Sequence, residues 1–138
     1  LQAILRKYQR ASGESRVERV FNDILGFRTL CDNYEEILRL REAKNLSVAY
    51  MSTGKTHDDG YRGVHIYYQY GHRHYPIEIQ YNTYYDRQMN NWLHKYVWSK
   101  HYPANVGIIM RREYERGRIR TECECEEVLR DVLSDCEK

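Results

Sequence analysis

Apolar side chains recur at helical spacing near both ends of the chain and at alternate positions in its middle. A helix repeats about every 3.6 residues and a strand every second residue, so these patterns predict different elements. Residues 106–120 fit either a strand or a helix, and Gly117 interrupts them. The other predicted elements are a helix over 1–10, a buried strand over 27–31, a helix over 34–44, strands over 46–52, 64–70 and 75–81, a helix over 86–99 and a C-terminal helix over 124–136. This order predicts an α+β fold with helices packed on a sheet.

The stretch GYRGVHIYYQYGHRHYPIEIQYNT, residues 60–83, is predicted to form a hairpin that turns at Gly71 and His72. Side chains alternate along a strand, so Ile77 and Ile79 share one face while Glu78 and Gln80 share the other. The isoleucines are expected to face the core. Two interpretations remain open for the opposite face: it is solvated, or it lines a cleft.

Composition narrows the class of protein. The 138 residues predict a single domain over 1–138, and the initial Leu1 suggests a fragment of a longer protein. The net charge of +2 argues against a globally basic nucleic-acid binder, although residues 1–20 hold five basic and two acidic side chains. No apolar run reaches the roughly 18 residues of a membrane span, and no signal peptide is visible. The four cysteines match no zinc module, which favours reduced thiols and a cytoplasmic location.

Two carboxylates stand in apolar surroundings, Asp23 in NDILGFR and Glu78 in PIEIQYN. Such a pair suits Mg²⁺, which proteins bind through one or two carboxylates together with substrate phosphates. Tyr61 follows Gly60 at a predicted turn, where its ring would stack on a nucleobase or pack among the 14 tyrosines. No P-loop is present. The basic residues that could bind the phosphates of a nucleotide are Arg6, Lys7, Arg10, Arg28 and Lys55. The alternative is that these side chains are simply solvated at the surface.

Four motifs in order resemble those of the RelA/SpoT-type alarmone synthetases, particularly the small alarmone synthetases. GYRGVH at 60–65 resembles the family's G-Y-x-S-x-H, and EIQYNT at 78–83 resembles E-[IV]-Q-[IV]-R-T. NDILGFR at 22–28 is similar to D-[IL]-x-G-x-R, and MNNW at 89–92 is similar to M-N-x-W. The basic helix around AILRK at 3–7 also resembles the family's pattern.

The resemblance implies an α+β, nucleotidyltransferase-like mixed β-sheet flanked by helices. It also implies an enzyme, a Mg²⁺-dependent GTP/GDP pyrophosphokinase that transfers pyrophosphate from ATP to the 3′-hydroxyl of GDP or GTP and so makes (p)ppGpp. By motif position, Asp23 and Glu78 would be catalytic and would hold the metal. ATP would be bound by Lys7, Arg28 and Arg6, and the acceptor nucleotide by Tyr61, His65, Gln80, Asn90 and Lys55.

The chain departs from the family pattern on the acceptor side, where Gly63 replaces a serine and Asn82 replaces an arginine. The acceptor therefore stays open. One alternative is a toxin-type relative that pyrophosphorylates tRNA or adenine nucleotides, and a second is a non-catalytic nucleotide-binding regulatory module. A tRNA acceptor calls for a basic surface, with candidates Arg62, Arg73, Arg87, Lys95 and Lys100. No membrane partner is expected, and a homo-oligomer remains an option.

Overall fold

The computed structural model of the protein describes residues 25–54 and 58–136. The predicted helix over 1–10 lies outside these residues. The described residues divide into two compact units, one formed by 25–49 with 64–81 and the other by 50–54, 58–63 and 82–136.

The described elements of the first unit are β1 (Leu25–Leu30), the single-turn helix α1 (Glu35–Leu38), a 3₁₀ turn (Arg39–Glu42), β2 (Leu46–Tyr50), β3 (Val64–Tyr68) and β4 (Ile77–Asn82). Their four strands form one sheet with the order β1-β4-β3-β2. β3 and β4 pair antiparallel, with Tyr67 opposite Glu78 and Ile66 opposite Ile79. The predicted hairpin is therefore confirmed, and its register separates an isoleucine face from a polar face.

Three expectations for this unit need correction. The strand predicted to be buried over 27–31 forms as β1, but all six of its residues are exposed; among the described residues it lies at the edge of the sheet, beside β4. The helix predicted over 34–44 is one α-helical turn followed by a 3₁₀ turn. On β4, Glu78 is only 5% exposed, whereas Ile77 and Ile79 are half-buried, so the polar face is the better covered one at this point.

The second unit is helical and comprises α2 (Tyr84–Tyr96), a 3₁₀ turn (Trp98–Lys100), α3 (Ala104–Glu115) and α4 (Glu122–Cys136). Thr83 caps α2 by accepting the N–H of Asp86 on its side-chain oxygen. The ambiguous segment 106–120 is helical up to Glu115. Gly117, two residues after the end of the helix, adopts a φ of +76°. The N–H groups of Gly117 and Arg118 return to Tyr114 and Glu113, a Schellman motif that ends the helix.

The core of the helical unit joins all three helices. Met89, Leu93 and Val97 from the α2 region pack with Val106 and Met110 of α3 in one buried cluster, to which Cys125 and Leu129 of α4 also belong. The predicted α+β class is thus confirmed. Among the described residues, no helix is long and apolar enough to cross a membrane.

Candidate active site

A buried carboxylate forms the centre of the polar face of the sheet. Glu78 Oε1 lies 2.9 Å from Nδ1 of His65 and accepts the hydroxyl of Tyr67 at 2.8 Å, while Oε2 accepts Nε2 of Gln80 at 2.8 Å. A carboxylate only accepts hydrogen bonds, so His65 supplies its Nδ1–H to this contact. These donors satisfy a carboxylate that would be costly to bury alone. The solvated interpretation of this face is therefore wrong at Glu78.

The hydrogen-bond network of Glu78 reaches β1 through Gln80. Nε of Arg28 donates to Oε1 of Gln80 at 3.0 Å, and Arg28 itself is exposed. Because this bond fixes the carboxamide oxygen toward Arg28, the amide N–H₂ of Gln80 faces Glu78. Four of the predicted site residues, Arg28, His65, Glu78 and Gln80, are thus brought together by β1, β3 and β4.

A groove of about 670 Å³ runs beside this network in the same unit. Its walls include residues 45–49 along β2, together with Tyr67, Gln69 and Pro76. Tyr67 therefore lines the groove with one part of its side chain and donates to Glu78 with its hydroxyl. A volume of this size is within the range of small-molecule sites.

Glu78 is the predicted magnesium ligand that lies within the described residues. Within 25–54 and 58–136, no group of three or more His, Cys, Asp and Glu side chains could hold a metal ion. Mg²⁺ needs fewer protein ligands when phosphates complete its shell. Oε2 of Glu78 accepts one hydrogen bond and has a second acceptor position, so this carboxylate fits the role of one ligand. The predicted metal and ATP residues Asp23, Lys7 and Arg6 lie outside the described residues, as does Lys55.

The loop from Gly60 to Gly63 forms a second cluster, in the helical unit. Tyr61 is half-buried, its ring centroid lies 6.3 Å from that of Trp98, and its hydroxyl accepts Nδ2 of Asn82 at 3.4 Å. A Cβ added at Gly63 would lie 2.6 Å from Asn82 Nδ2 and 2.7 Å from the Tyr61 hydroxyl. The two positions that depart from the family pattern, 63 and 82, are therefore neighbours, and both contact the predicted stacking residue.

Asn90 was predicted to line the acceptor nucleotide, and the structure places its side chain against the loop. Its Nδ2 donates to the carbonyl of Arg62 at 2.7 Å, and its Oδ1 accepts the Arg62 N–H at 3.2 Å. The residue is 6% exposed. Asn90 thus holds main chain next to Tyr61.

The basic surface predicted for a tRNA acceptor is smaller than expected. Arg62 is 8% exposed and forms a double hydrogen bond with Asp58, at 2.8 and 3.2 Å. Burial raises the pKa of Asp58, but hydrogen bonds from Arg62 and the Gly60 N–H outweigh this effect, so the pKa lies below its ordinary value. Lys95 pairs with Glu122 at 2.8 Å. The inclusion of Arg62 as a surface cation is wrong, and the charge of Lys95 is compensated.

A buried arginine in α3 was missed by the sequence analysis. Arg111 is fully buried, forms an ion pair with Asp86 and donates Nε to the carbonyl of Gly60 at 2.7 Å. Gly107, Met110, Arg111 and Tyr114 follow the i, i+3, i+4, i+7 spacing of a buried helix stripe. An arginine within such a stripe is the signal that would have identified it.

Comparison with solved structures gives the fold type. The chain is similar to the crystal structure of small alarmone synthetase 1 from Bacillus subtilis, with a TM-score of 0.53 and 22% identity over 99% of this chain and 76% of that one. It is also similar to the crystal structure of the same enzyme bound to its product pppGpp, with a TM-score of 0.55 and 20% identity over 99% of this chain and 75% of that one. The crystal structure of small alarmone synthetase 2 from Bacillus subtilis is similar with a TM-score of 0.54 and 18% identity, over 99% of this chain and 76% of that one.

These similarities establish the fold, and the predicted nucleotidyltransferase-like α+β fold of the alarmone-synthetase type is confirmed. The matched part of each solved structure amounts to about three quarters of its chain. No protein-family model matches the sequence, and neither does any curated protein. The activity must therefore be argued from the site.

Proposed function

We propose that the protein is an ATP:nucleotide 3′-pyrophosphotransferase that acts on a guanosine nucleotide. The observation that carries this proposal is the buried Glu78, held by His65, Tyr67 and Gln80 on a sheet of the alarmone-synthetase fold. Three donors hold one carboxylate in a defined orientation, as a general base requires.

In the proposed reaction the acceptor's 3′-oxygen attacks the β-phosphorus of ATP. A bond forms between that oxygen and the β-phosphorus, the bond from the β-phosphorus to the α,β-bridging oxygen breaks, and AMP leaves. Glu78 takes the proton of the 3′-hydroxyl. Asp23 would then be the principal ligand of Mg²⁺, which neutralises charge on the transferred diphosphate when bound.

The remaining side chains would bind the two nucleotides. Arg28, which is exposed on β1, would bind ATP, and by sequence Lys7 and Arg6 are candidates for the same role. Tyr61 would stack on the acceptor base, because an aromatic face and a nucleobase stack with a gain of about 1–3 kcal/mol.

A free nucleotide is favoured over tRNA as the acceptor. Binding to a polynucleotide depends on uncompensated cations that contact successive phosphates. Arg62 is buried against Asp58, and Lys95 is paired with Glu122. Two of the five candidate cations are thus already compensated by carboxylates of the protein.

The test compares the wild-type chain with Glu78→Gln and with the control Glu36→Gln, which changes an exposed carboxylate of α1. Each is incubated with ATP, Mg²⁺ and GDP or GTP, and AMP and the 3′-diphosphorylated product are quantified. The proposal predicts turnover by the wild type and by Glu36→Gln, and a loss of about 10²–10⁴-fold in Glu78→Gln, the usual contribution of a general base. Equal rates in all three proteins would refute the role of Glu78. Nucleotide binding without turnover in the wild type would favour the regulatory module instead.

A further inference from the structure

Arg111 is a buried cation whose guanidinium donates to three residues on two segments, the helix α2 and the loop that begins at Gly60. NH1 donates to Asp86 Oδ1 at 3.1 Å, NH2 donates to Asn90 Oδ1 at 2.6 Å, and Nε donates to the Gly60 carbonyl at 2.7 Å. Burial lowers the pKa of Arg111, and the charge of Asp86 opposes this effect. An arginine nevertheless stays protonated in proteins, so the cation is permanent.

Stability alone does not require such a group. Replacing a buried ion pair by apolar side chains of similar volume is often neutral or stabilising. The planar fork of an arginine is instead suited to fixing several acceptors in one geometry. The identity of these acceptors therefore indicates what Arg111 does.

The acceptors lie on both sides of Tyr61. Arg111 holds the carbonyl of Gly60 directly, and it orients Asn90, which binds both the N–H and the carbonyl of Arg62. The N–H of Tyr61 donates to Asp59 Oδ1 at 3.1 Å. The main chain before, at and after Tyr61 is thus held by hydrogen bonds, which fixes the direction in which its side chain leaves the loop, while Trp98 and Asn82 contact the ring itself.

We propose that Arg111 is a positioning residue that sets the orientation of Tyr61 for the base of the acceptor nucleotide. This inference rests on the proposed function, in which Tyr61 stacks on that base. Arg111 acts through Asn90 and the loop and does not touch the nucleotide. Its loss should therefore weaken acceptor binding and spare ATP binding.

The activity test uses Arg111→Lys, which keeps the charge but loses the fork, and Arg111→Met, which keeps the bulk. The matched control is Arg112→Lys, an exposed position on the same helix. We expect Arg111→Lys to raise the KM for the acceptor about tenfold and Arg111→Met to raise it further, while the KM for ATP stays within twofold. An unchanged acceptor KM, or a fall in kcat with both KM values unchanged, would overturn the proposal.

A fluorescence test does not depend on activity. Trp98 donates its ring N–H to the carbonyl of Asp59 at 3.1 Å and lies beside Tyr61, so its emission reports on the loop. In a Trp92→Phe background, Arg111→Lys should shift the Trp98 emission relative to its parent, whereas Arg112→Lys should not. If the wild type shows no turnover with any acceptor, the proposed function fails while this comparison still decides whether Arg111 holds the loop. An unchanged emission in Arg111→Lys would show that it does not.

Amide hydrogen exchange in the wild type covers the case in which both variants fail to fold. The N–H groups of Tyr61 and Arg62 should exchange as slowly as those of the core residues Met89 and Leu93, because each donates to a held side-chain oxygen. Fast exchange at Tyr61 and Arg62 would overturn the proposal.

Discussion

The loop at Gly60 and the helix α3 at Gly107 approach each other closely through their main chains, and this contact allows a quantitative prediction. A Cβ on Gly60 would lie 2.3 Å from the carbonyl oxygen of Gly107, and a Cβ on Gly107 would lie 2.1 Å from that of Asp59. Carbon–oxygen contacts are normally about 3.3–3.6 Å, so a methyl group at either position requires the loop and α3 to separate by about 1 Å.

Two effects add at Gly60. Overpacking lowers the stability by about 1–3 kcal/mol. The φ of +88° at Gly60 lowers it by about 1–2 kcal/mol more for any residue with a Cβ. We therefore expect Gly60→Ala to lower the free energy of unfolding by about 2–5 kcal/mol. In Gly107→Ala the helix propensity of alanine offsets about 1 kcal/mol of the overpacking, which leaves a loss of about 0–2 kcal/mol.

Gly117→Ala is the matched control, because its φ is +76° but the nearest atom to an added Cβ is 3.8 Å away. It should show the backbone cost alone, about 1–2 kcal/mol. Urea denaturation of the three variants and the wild type, at equal protein concentration, gives the values. If Gly60→Ala were no more destabilising than Gly117→Ala, the close approach of loop and helix would be refuted.

Three further predictions concern single contacts. Tyr67→Phe removes one donor from Glu78 and should lower kcat by about ten- to a hundredfold, since a hydrogen bond to a charged group contributes about 1.5–3 kcal/mol. The exposed Tyr70→Phe is its control, and equal rates would contradict the role of the network. Gly63→Ser should raise the KM for the acceptor and spare that for ATP by displacing the adjacent phenol, and an unchanged acceptor KM would contradict it. Asp58 has a lowered pKa, so its contribution to stability is present above its unfolded pKa of 3.8 and is lost as the pH falls through its folded value. The difference in unfolding free energy between wild type and Asp58→Asn, measured by urea titration, should therefore shrink on acidification. A constant difference would contradict the lowered pKa.

The sequence was most informative where one strand face differs chemically from the other. The alternation of Ile77, Glu78, Ile79 and Gln80 predicted both strands of the hairpin and the common face of Glu78 and Gln80, as observed. The hydrogen bonds that satisfy the buried Glu78 were not predictable, because two of the three donors, His65 and Tyr67, lie on the neighbouring strand. Such contacts depend on register, which the hydrophobic pattern does not reveal residue by residue.

The apolar composition of the first strand led to a wrong prediction of burial for β1, since Leu25 and Phe27 are 49% and 55% exposed. A run of apolar residues in a short strand predicts the strand but not its place in the sheet, and edge strands can retain exposed apolar side chains. The buried Arg111 was missed for the opposite reason, since charged residues are normally assigned to the surface. Its partners, Asp86 and Gly60, are distant in the sequence, so the contact emerges only from the packing of α2 and α3 with the loop.

Pyrophosphate transfer by the wild-type chain is the central claim. It is tested most directly by incubating the full chain with ATP labelled in its γ-phosphate, Mg²⁺ and, in separate reactions, GDP, GTP, an adenine nucleotide or tRNA, and separating the products by thin-layer chromatography. The proposal predicts that label moves to GDP or GTP and that AMP forms in equal amount. Label on tRNA or on the adenine nucleotide alone would assign the toxin-type alternative, and the absence of AMP with every acceptor would contradict the claim.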